Sequence, residues 1–119
     1  MEKSDNLDVS ERATLDVTII SLSGFIDQSN AGKLEARFRD LISKKNYKLV
    51  VDMGKLTFVS SAGWSVFISF LRTLRENGGS IKLANMSKEV EAVFNMMEFS
   101  EIMDKYPNDI DALDAFRAH

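Results

Sequence analysis

The chain has 119 residues, of which 45% are hydrophobic and 28% charged, and these values are typical of one folded domain rather than a disordered segment. Its 15 basic and 18 acidic residues are mixed along the sequence and sum to a formal net charge of −3, so no nucleic-acid surface is expected. Because the chain has no cysteine, disulfides, thiol nucleophiles and thiolate metal sites are excluded, and a cytoplasmic location is weakly favoured.

The N-terminal half predicts two strands, a helix and a third strand. Residues 1–6 are polar and are expected to be frayed. LDVSERATLDVTIISLSG predicts a short strand, a turn near residues 11–14, and a longer strand that ends at Gly24. A helix is predicted next, with Ser29 or Asn30 as its N-cap. Its apolar residues at helical spacing are Ala31, Leu34, Phe38, Leu41 and Ile42. The apolar run YKLVVDM predicts a buried strand, so strand, helix and strand form a parallel crossover.

The C-terminal half repeats the alternation of helix and strand. After FVSSAG, a broad apolar stripe at helical spacing predicts a helix, and this stripe consists of Trp64, Phe67, Leu71 and Leu74. The helix is expected to stop at Asn77-Gly78-Gly79. SIKLA predicts a strand. Ser87 is the expected N-cap of a third helix, whose apolar stripe consists of Val90, Val93, Phe94 and Met97. EIMDKY is a candidate last strand. After Pro107, residues 108–119 predict a short terminal helix or tail. The predicted fold is α/β: one domain over residues 1–119, with a small mixed sheet and helices packed on it.

The inventory of reactive side chains argues against an enzyme. The one histidine, His119, is the last residue, whereas a serine–histidine–acid triad needs an imidazole held beside its serine. Histidine and cysteine are too few for a zinc site, and no glycine-rich phosphate loop follows a strand. We therefore expect no catalytic residues, no metal and no cofactor. No apolar run approaches the roughly 20 residues that span a bilayer, so no membrane insertion is expected.

Ser60 and Ser61 are the polar residues that most need an explanation, because they lie where an apolar strand gives way to a helix. One interpretation is that either serine is an N-cap, worth roughly 1 kcal/mol. The other is that an exposed hydroxyl at a helix N-terminus is a phosphorylation site, since the backbone N–H groups there favour negative charge. A phosphate adds nearly two negative charges and would repel a docked partner without unfolding the domain.

An ordered set of motifs resembles the bacterial anti-sigma factor antagonists, which are stand-alone STAS domains. The family pattern places G-x-(L/I)-D after a strand, and F-x-D-S-(S/T)-G-(L/I)-G at the start of a later helix. This chain has GFID at residues 24–27, LVVDM at 49–53 and FVSSAGWS at 58–65, followed by GGSIKLA and SKEVEAVF. The match runs from about Leu7 to Met103, nearly the whole domain.

The resemblance implies a set of site residues. The phosphorylated serine of the family falls on Ser61, with Ser60 as the runner-up, and Asp27 matches a loop acid near the partner surface. The implied partner-binding residues are Asp27, Ser60, Ser61, Ala62, Gly63 and Trp64. Three departures from the pattern stand out: Ser60 replaces the acid, Ala62 replaces the second hydroxyl, and Trp64-Ser65 replaces leucine and glycine.

The resemblance also implies partners and a mechanism. The unmodified domain binds an anti-sigma factor that has serine kinase activity and thereby frees a sigma factor. Apart from the resemblance, nothing in the sequence requires more than a monomer. Phosphorylation with ATP ends the binding, and a serine phosphatase restores it. Two other functions stay open: a constitutive STAS subunit of a larger assembly, such as a lipid-transport complex, and a small hydrolase that uses Ser61. Asp27 is also interpretable as a turn residue, and Trp64 as a packing residue.

Overall fold

The computed structural model describes residues 6–117, and its core is a five-stranded sheet in the order β1-β2-β3-β4-β5. Strand β1 pairs antiparallel with β2, and the other neighbouring strands are parallel. The elements in chain order are β1 Leu7–Thr14, β2 Val17–Ile26, α1 Ala31–Ser43, β3 Lys48–Val59, α2 Ser61–Glu76, β4 Ser80–Ala84, α3 Lys88–Met96, a 3-10 helix Phe99–Glu101, β5 Asp104–Tyr106 and α4 Asp109–Arg117. The predicted α/β class with a mixed sheet is confirmed.

The two faces of the sheet carry different layers, because successive side chains of a strand point to opposite faces. Helices α1, α2 and α3 cover one face and form the larger core, in which Phe38, Phe67 and Phe94 are fully buried. On the other face, α4 covers a smaller apolar cluster with Ala112. Strand β2 contributes to both clusters: Ile20 faces the larger one and Ile19 the smaller one.

Three local predictions in the N-terminal half and in α3 are wrong. The first turn lies at residues 15–16 rather than 11–14, and Leu15 takes a left-handed φ of 56° there. Gly24 does not end β2; it has a φ of 107° at a register irregularity, and the strand continues to Ile26. Met97 does not extend the buried stripe of α3, since the helix ends at Met96 and Met97 is exposed.

The ends of the chain limit two other expectations. The predicted fraying of residues 1–6 falls, apart from Asn6, outside the described residues, and so does His119. The predicted terminal helix is present as α4. Within residues 6–117, no helix has both the length and the apolar character needed to cross a bilayer.

Candidate functional site

The site predicted from the serine pair lies at the edge of the sheet where β2 and β3 end side by side. Ile26 pairs with Val59, and the backbone N–H of Ser60 donates to the carbonyl oxygen of Ile26 at 2.9 Å. This bond continues the pairing one residue past β3 and places the following turn against β2. Helix α2 therefore starts at a position that the sheet itself determines.

Ser60 is the N-cap of α2. Its backbone is extended, with φ −79° and ψ 173°, and its Oγ accepts a hydrogen bond from the backbone N–H of Gly63 at 3.4 Å. Its carbonyl oxygen accepts the bond from the N–H of Trp64 at 3.0 Å, which starts the helical pattern. The capping role considered for either serine thus belongs to Ser60, whose side chain is half-buried.

Ser61 is the first helical residue, and its side chain is exposed. The first turn of α2 contains no acidic side chain. Each helix N-terminus leaves backbone N–H groups without intrahelical partners and carries a partial positive charge. An accessible hydroxyl therefore lies at a point where added negative charge is favoured and where no carboxylate of the same turn already provides it.

Gly63 allows the start of α2 to pack closely on the sheet. A Cβ atom at this position would lie 2.8 Å from Ile26 Cγ2 and 2.8 Å from Val59 Cγ1, closer than side chains tolerate. The neighbouring Ala62 is half-buried and packs against the larger core. Within the predicted partner-binding set, Gly63 and Ala62 thus have clear packing roles that set the position of Ser61.

Asp27 organises the loop between β2 and α1. Its Oδ1 accepts from the backbone N–H of Ser29 at 2.9 Å and from the Ser29 hydroxyl at 2.6 Å. Its own N–H donates to Asn30 Oδ1 at 2.9 Å. This is the side-chain-to-backbone pattern of an aspartate turn, so the turn interpretation of Asp27 agrees with the geometry. Asn30 occupies the N-cap position of α1 without making a side-chain cap bond, because its amide spans this loop instead.

Trp64 points into the protein. It is 3% exposed and packs its ring at centroid distances of 5.8 Å from Phe67, 6.0 Å from Phe94 and 5.1 Å from Phe99. The packing alternative for Trp64 therefore agrees with the structure, and its side chain does not form part of the outer surface. The aromatic cluster ties the first turns of α2 to α3 and to the following 3-10 helix.

Phe58 is a surface residue that sequence reasoning missed. It precedes Ser60 by two positions near the end of β3 and is 52% exposed, a large apolar exposure beside the serine pair. The signal was present in the strand, since Leu56 and Val59 are buried and three residues apart, which breaks strict alternation and leaves Thr57 and Phe58 outside. Exposed aromatic side chains are favoured at protein interfaces.

A second polar cluster lies between the sheet and α4, away from the serine pair. Asn85 Nδ2 donates to Asp52 Oδ1 and to Asp109 Oδ1, both at 3.2 Å. Burial, followed by the Asp52 carboxylate, raises the pKa of Asp109, although Arg12 opposes that shift. Elsewhere in the protein, Asp16 pairs with Lys48 at 2.8 Å, and this hydrogen bond lowers the pKa of Asp16. The carboxylates therefore have structural partners and do not converge on Ser61.

Comparison with known proteins places this geometry in a family. The family model for the STAS domain matches residues 8–112. The Bordetella bronchiseptica protein BtrV, named as an anti-sigma factor antagonist, is 32% identical over 84 residues, which are 71% of this chain and 72% of BtrV. The chain belongs to the STAS domain family. Its relatives there include anti-sigma factor antagonists, as the sequence motifs indicated.

Solved structures show the same fold at lower identity. A crystal structure of an anti-sigma factor antagonist from Mycobacterium paratuberculosis has a TM-score of 0.88 and 21% identity, covering 99% of this chain and 100% of that one. The Bacillus cell fate determinant SpoIIAA in its phosphorylated form has a TM-score of 0.70 and 20% identity, covering 91% of this chain and 98% of that one. At these identities the likeness concerns the fold alone.

Proposed function

We propose that this chain is a phosphorylation-controlled anti-sigma factor antagonist. The unphosphorylated domain binds an anti-sigma factor that has serine kinase activity, and this binding frees a sigma factor. The kinase transfers the γ-phosphoryl group of ATP to the Ser61 hydroxyl, with release of ADP and the hydroxyl proton, and the complex dissociates. A serine phosphatase hydrolyses the phosphoserine and restores binding. The observation that supports this proposal best is the exposed Ser61 hydroxyl at the first position of α2.

The division of roles between the two serines supports Ser61 as the acceptor. The Ser60 hydroxyl accepts the capping bond from Gly63, so phosphorylation there would disturb a bond worth roughly 1 kcal/mol. Ser61 carries no such duty in the described part of the chain. A phosphate on Ser61 would lie near the open N–H groups of the first turn and would be accommodated without rearranging α2.

The same phosphate would act against the partner. It adds about two negative charges and a large hydrated group at the centre of the proposed docking surface. Burying that group against a partner requires removing its water, and like charges on the partner would repel it. Each 1.4 kcal/mol of such cost is about a tenfold loss of affinity, so several kcal/mol suffice for a switch.

The experiment combines phosphate mapping with affinity measurements. Purified protein is incubated with the cognate anti-sigma factor and ATP, and the phosphorylated residue is located by mass spectrometry. We expect phosphate on Ser61, and none in Ser61→Ala. In calorimetric titrations, Ser61→Asp should bind the anti-sigma factor at least about tenfold more weakly than wild type. Ser65→Asp is the charge-matched control, since Ser65 is also exposed and lies one turn further along α2.

Different failures have different meanings. Phosphate on Ser60 alone would move the acceptor by one residue and contradict the role given to the capping bond. Equal affinity of wild type and Ser61→Asp would contradict the charge switch and favour a constitutive STAS subunit. Absence of any complex with the anti-sigma factor would overturn the proposed function as a whole.

A further inference from the structure

An irregularity in β3 turns Phe58 towards the outside of the protein. The register between β2 and β3 shifts by one residue between Gly24 and Phe25, because Thr57 of β3 has no partner on β2. An inserted residue of this kind reverses the alternation of side-chain faces beyond it. Val59 therefore faces the core, and Phe58 is left 52% exposed just before the serine pair. Bulges that redirect a side chain are common beside functional sites.

The outer side of α3 carries further exposed apolar side chains. Met96 and Met97 follow Val93 by three and four residues, so the three side chains lie on one side of the helix. Met96 is 72% exposed, Met97 is 56% exposed and Val93 is half-buried. Val93 and Phe58 line the same small cleft between β3 and α3, so the two residues are neighbours. These four residues, Phe58, Val93, Met96 and Met97, form the apolar strip.

The apolar strip begins close to Ser61. Consecutive Cα atoms are about 3.8 Å apart, so the Cα atom of Phe58 lies within about 11 Å of that of Ser61, well inside an interface of about 800 Å² per partner. In the other direction, along the outer side of α2, the exposed residues at helical spacing are Ser65, Ile68 and Arg72. Only Ile68 among them is apolar, and it is 37% exposed. The surface towards α3 therefore resembles the apolar centre of an interface more closely.

The surroundings of the apolar strip are acidic. Residues 88–101 contain four glutamates and one lysine. Glu89 lies one turn before Val93, Glu98 directly follows Met97, and both glutamates are exposed. Since the two sides of an interface carry complementary potentials, this charge favours a partner surface with basic side chains around an apolar centre.

We propose that the apolar strip is part of the docking surface and receives apolar side chains of the anti-sigma factor that are flanked by lysine or arginine. This inference rests on the proposed function, since the same partner covers Ser61. The partner extends from Ser61 across Phe58 to α3, and not along α2. Phe58 contributes most, because aromatic side chains carry much of the binding energy at interfaces, while the flexible methionines adapt to the partner.

Calorimetric titration of substituted proteins with the anti-sigma factor tests the apolar strip. Phe58→Thr keeps a residue that is favourable in strands and should weaken binding at least about tenfold. Met96→Gln combined with Met97→Gln keeps the length of both side chains and should weaken binding about fivefold. Because the three side chains are exposed, the melting temperature should stay within about 4 °C of the wild-type value.

Two exposed isoleucines provide matched controls. Ile110 is 68% exposed on α4, which covers the opposite face of the sheet, and Ile68 lies on α2 beyond Ser65. Ile110→Thr and Ile68→Thr should each change the affinity less than about twofold. A loss in Ile68→Thr equal to that in Phe58→Thr would place the partner along α2 and contradict the proposed direction.

Reversal of a flanking charge tests the basic character of the partner surface. Glu98→Lys should slow association and weaken binding by about three- to tenfold, and added salt should reduce the difference from wild type. Unchanged or tighter binding of Glu98→Lys would contradict the proposed chemistry of the partner.

Nuclear magnetic resonance locates the partner on the wild-type protein. The chain has six methionines, and ¹³C labelling of their methyl groups gives one signal for each. Binding of the anti-sigma factor should shift the signals of Met96 and Met97, whereas the signal of the fully buried Met53 should stay in place. Signals of Met96 and Met97 that do not move in the saturated complex would overturn the inference.

The inference and the function on which it rests fail in different ways. If Phe58→Thr binds as tightly as wild type while Ser61→Asp still binds weakly, the apolar strip alone is overturned. Absence of any complex between the wild-type protein and the anti-sigma factor would overturn both proposals.

Discussion

Helices α2 and α3 begin with the same capping arrangement, but only α3 has acidic residues in its first turn. Ser60 and Ser87 are both N-caps in extended conformation, and their hydroxyls accept from the N–H three residues later at 3.4 and 3.2 Å. The first turn of α3 contains Glu89 and Glu91, whereas that of α2 contains no acid. Because carboxylates stabilise a helix N-terminus, α3 provides its own negative charge and α2 does not.

The packing of the two helix starts differs as well. The first turn of α2 approaches β2 and β3 closely through Gly63, whereas the first turn of α3 contacts the core through Val90 and leaves Lys88 and Glu89 exposed. A helix start without an acidic residue forgoes the stabilisation that α3 gains from its own acids. Under the proposal that Ser61 is phosphorylated, the hydroxyl and the favourable partial charge of the helix N-terminus are both present before the modification.

Substitution of Gly63 should produce the largest effect on this difference. In Gly63→Ala the added Cβ lies 2.8 Å from atoms of Ile26 and Val59, so the start of α2 must move away from the sheet. We expect a loss of roughly 1–3 kcal/mol in the free energy of unfolding, as for other overpacked sites. Urea denaturation followed by circular dichroism measures it.

Gly32→Ala is the matched control for this substitution. Gly32 lies in α1, and a Cβ there would meet no atom within 4 Å. Since alanine is favoured over glycine inside helices, Gly32→Ala should stabilise the domain by up to about 1 kcal/mol. Equal effects of the two substitutions would show that the close approach of Gly63 to the sheet has no energetic weight.

The two serine caps should differ by a smaller amount. Ser87→Ala removes the shorter of the two capping bonds and should cost about 1 kcal/mol. Ser60→Ala should cost less, because its bond to Gly63 is longer and the pairing of Ser60 N–H with Ile26 remains. Thermal denaturation of both variants gives the order. A larger loss for Ser60→Ala would contradict the weaker cap at α2.

Most of the fold was predictable because apolar periodicity coincides with burial. The strand YKLVVDM and the helix carrying Phe67, Leu71 and Leu74 are present where their patterns predicted them, although β3 extends further to Val59. The turn at Leu15 was missed, since an exposed leucine with a left-handed φ carries none of the usual turn chemistry. The prediction that Gly24 ends the strand was wrong because a glycine beside a register irregularity inside a strand and a glycine at a strand end have the same sequence signature.

The candidate site was predictable in position but not in detail. The serine pair between strand and helix indicated a helix start, but the sequence allowed either serine to be the N-cap. The extended backbone of Ser60 makes it the N-cap, and a backbone conformation is not visible in the sequence. The role of Trp64 was open between an exposed binding residue and a packing residue. The packing role depends on Phe94 and Phe99, some thirty residues later in the chain, which pack around the indole ring.

A negative charge at Ser61 should stabilise the free domain, even though under the proposed switch the same charge weakens the complex. Ser61→Asp places a carboxylate at the first position of α2, where the helix dipole contributes about 0.3–1 kcal/mol. The melting temperature should therefore rise by about 1–5 °C. Ser65→Asp adds the same charge beyond the first turn, where the effect of the dipole has largely decayed, and should leave the melting temperature nearly unchanged. A rise in both variants would indicate a general charge effect instead.

The smallest expected effect concerns the start of α4. Unlike the first turn of α2, this helix start contains an acidic residue, but the surroundings disfavour its ionised form. Burial and the Asp52 carboxylate raise the pKa of Asp109, the first residue of α4. A raised pKa means that the folded state binds the proton more tightly, so the stabilisation is full below the unfolded pKa and is lost as pH rises through the folded value. Relative to Asp109→Asn, wild type should therefore lose stability as pH increases from 3 towards 7, roughly the range in which carboxylates titrate.

Asp16 provides the opposite case: its hydrogen bond with Lys48 lowers its pKa, so relative to Asp16→Asn wild type should lose stability as pH falls. Urea midpoints measured across this pH range should give difference curves of opposite slope, and slopes of the same sign would contradict the placement of Asp109 against Asp52.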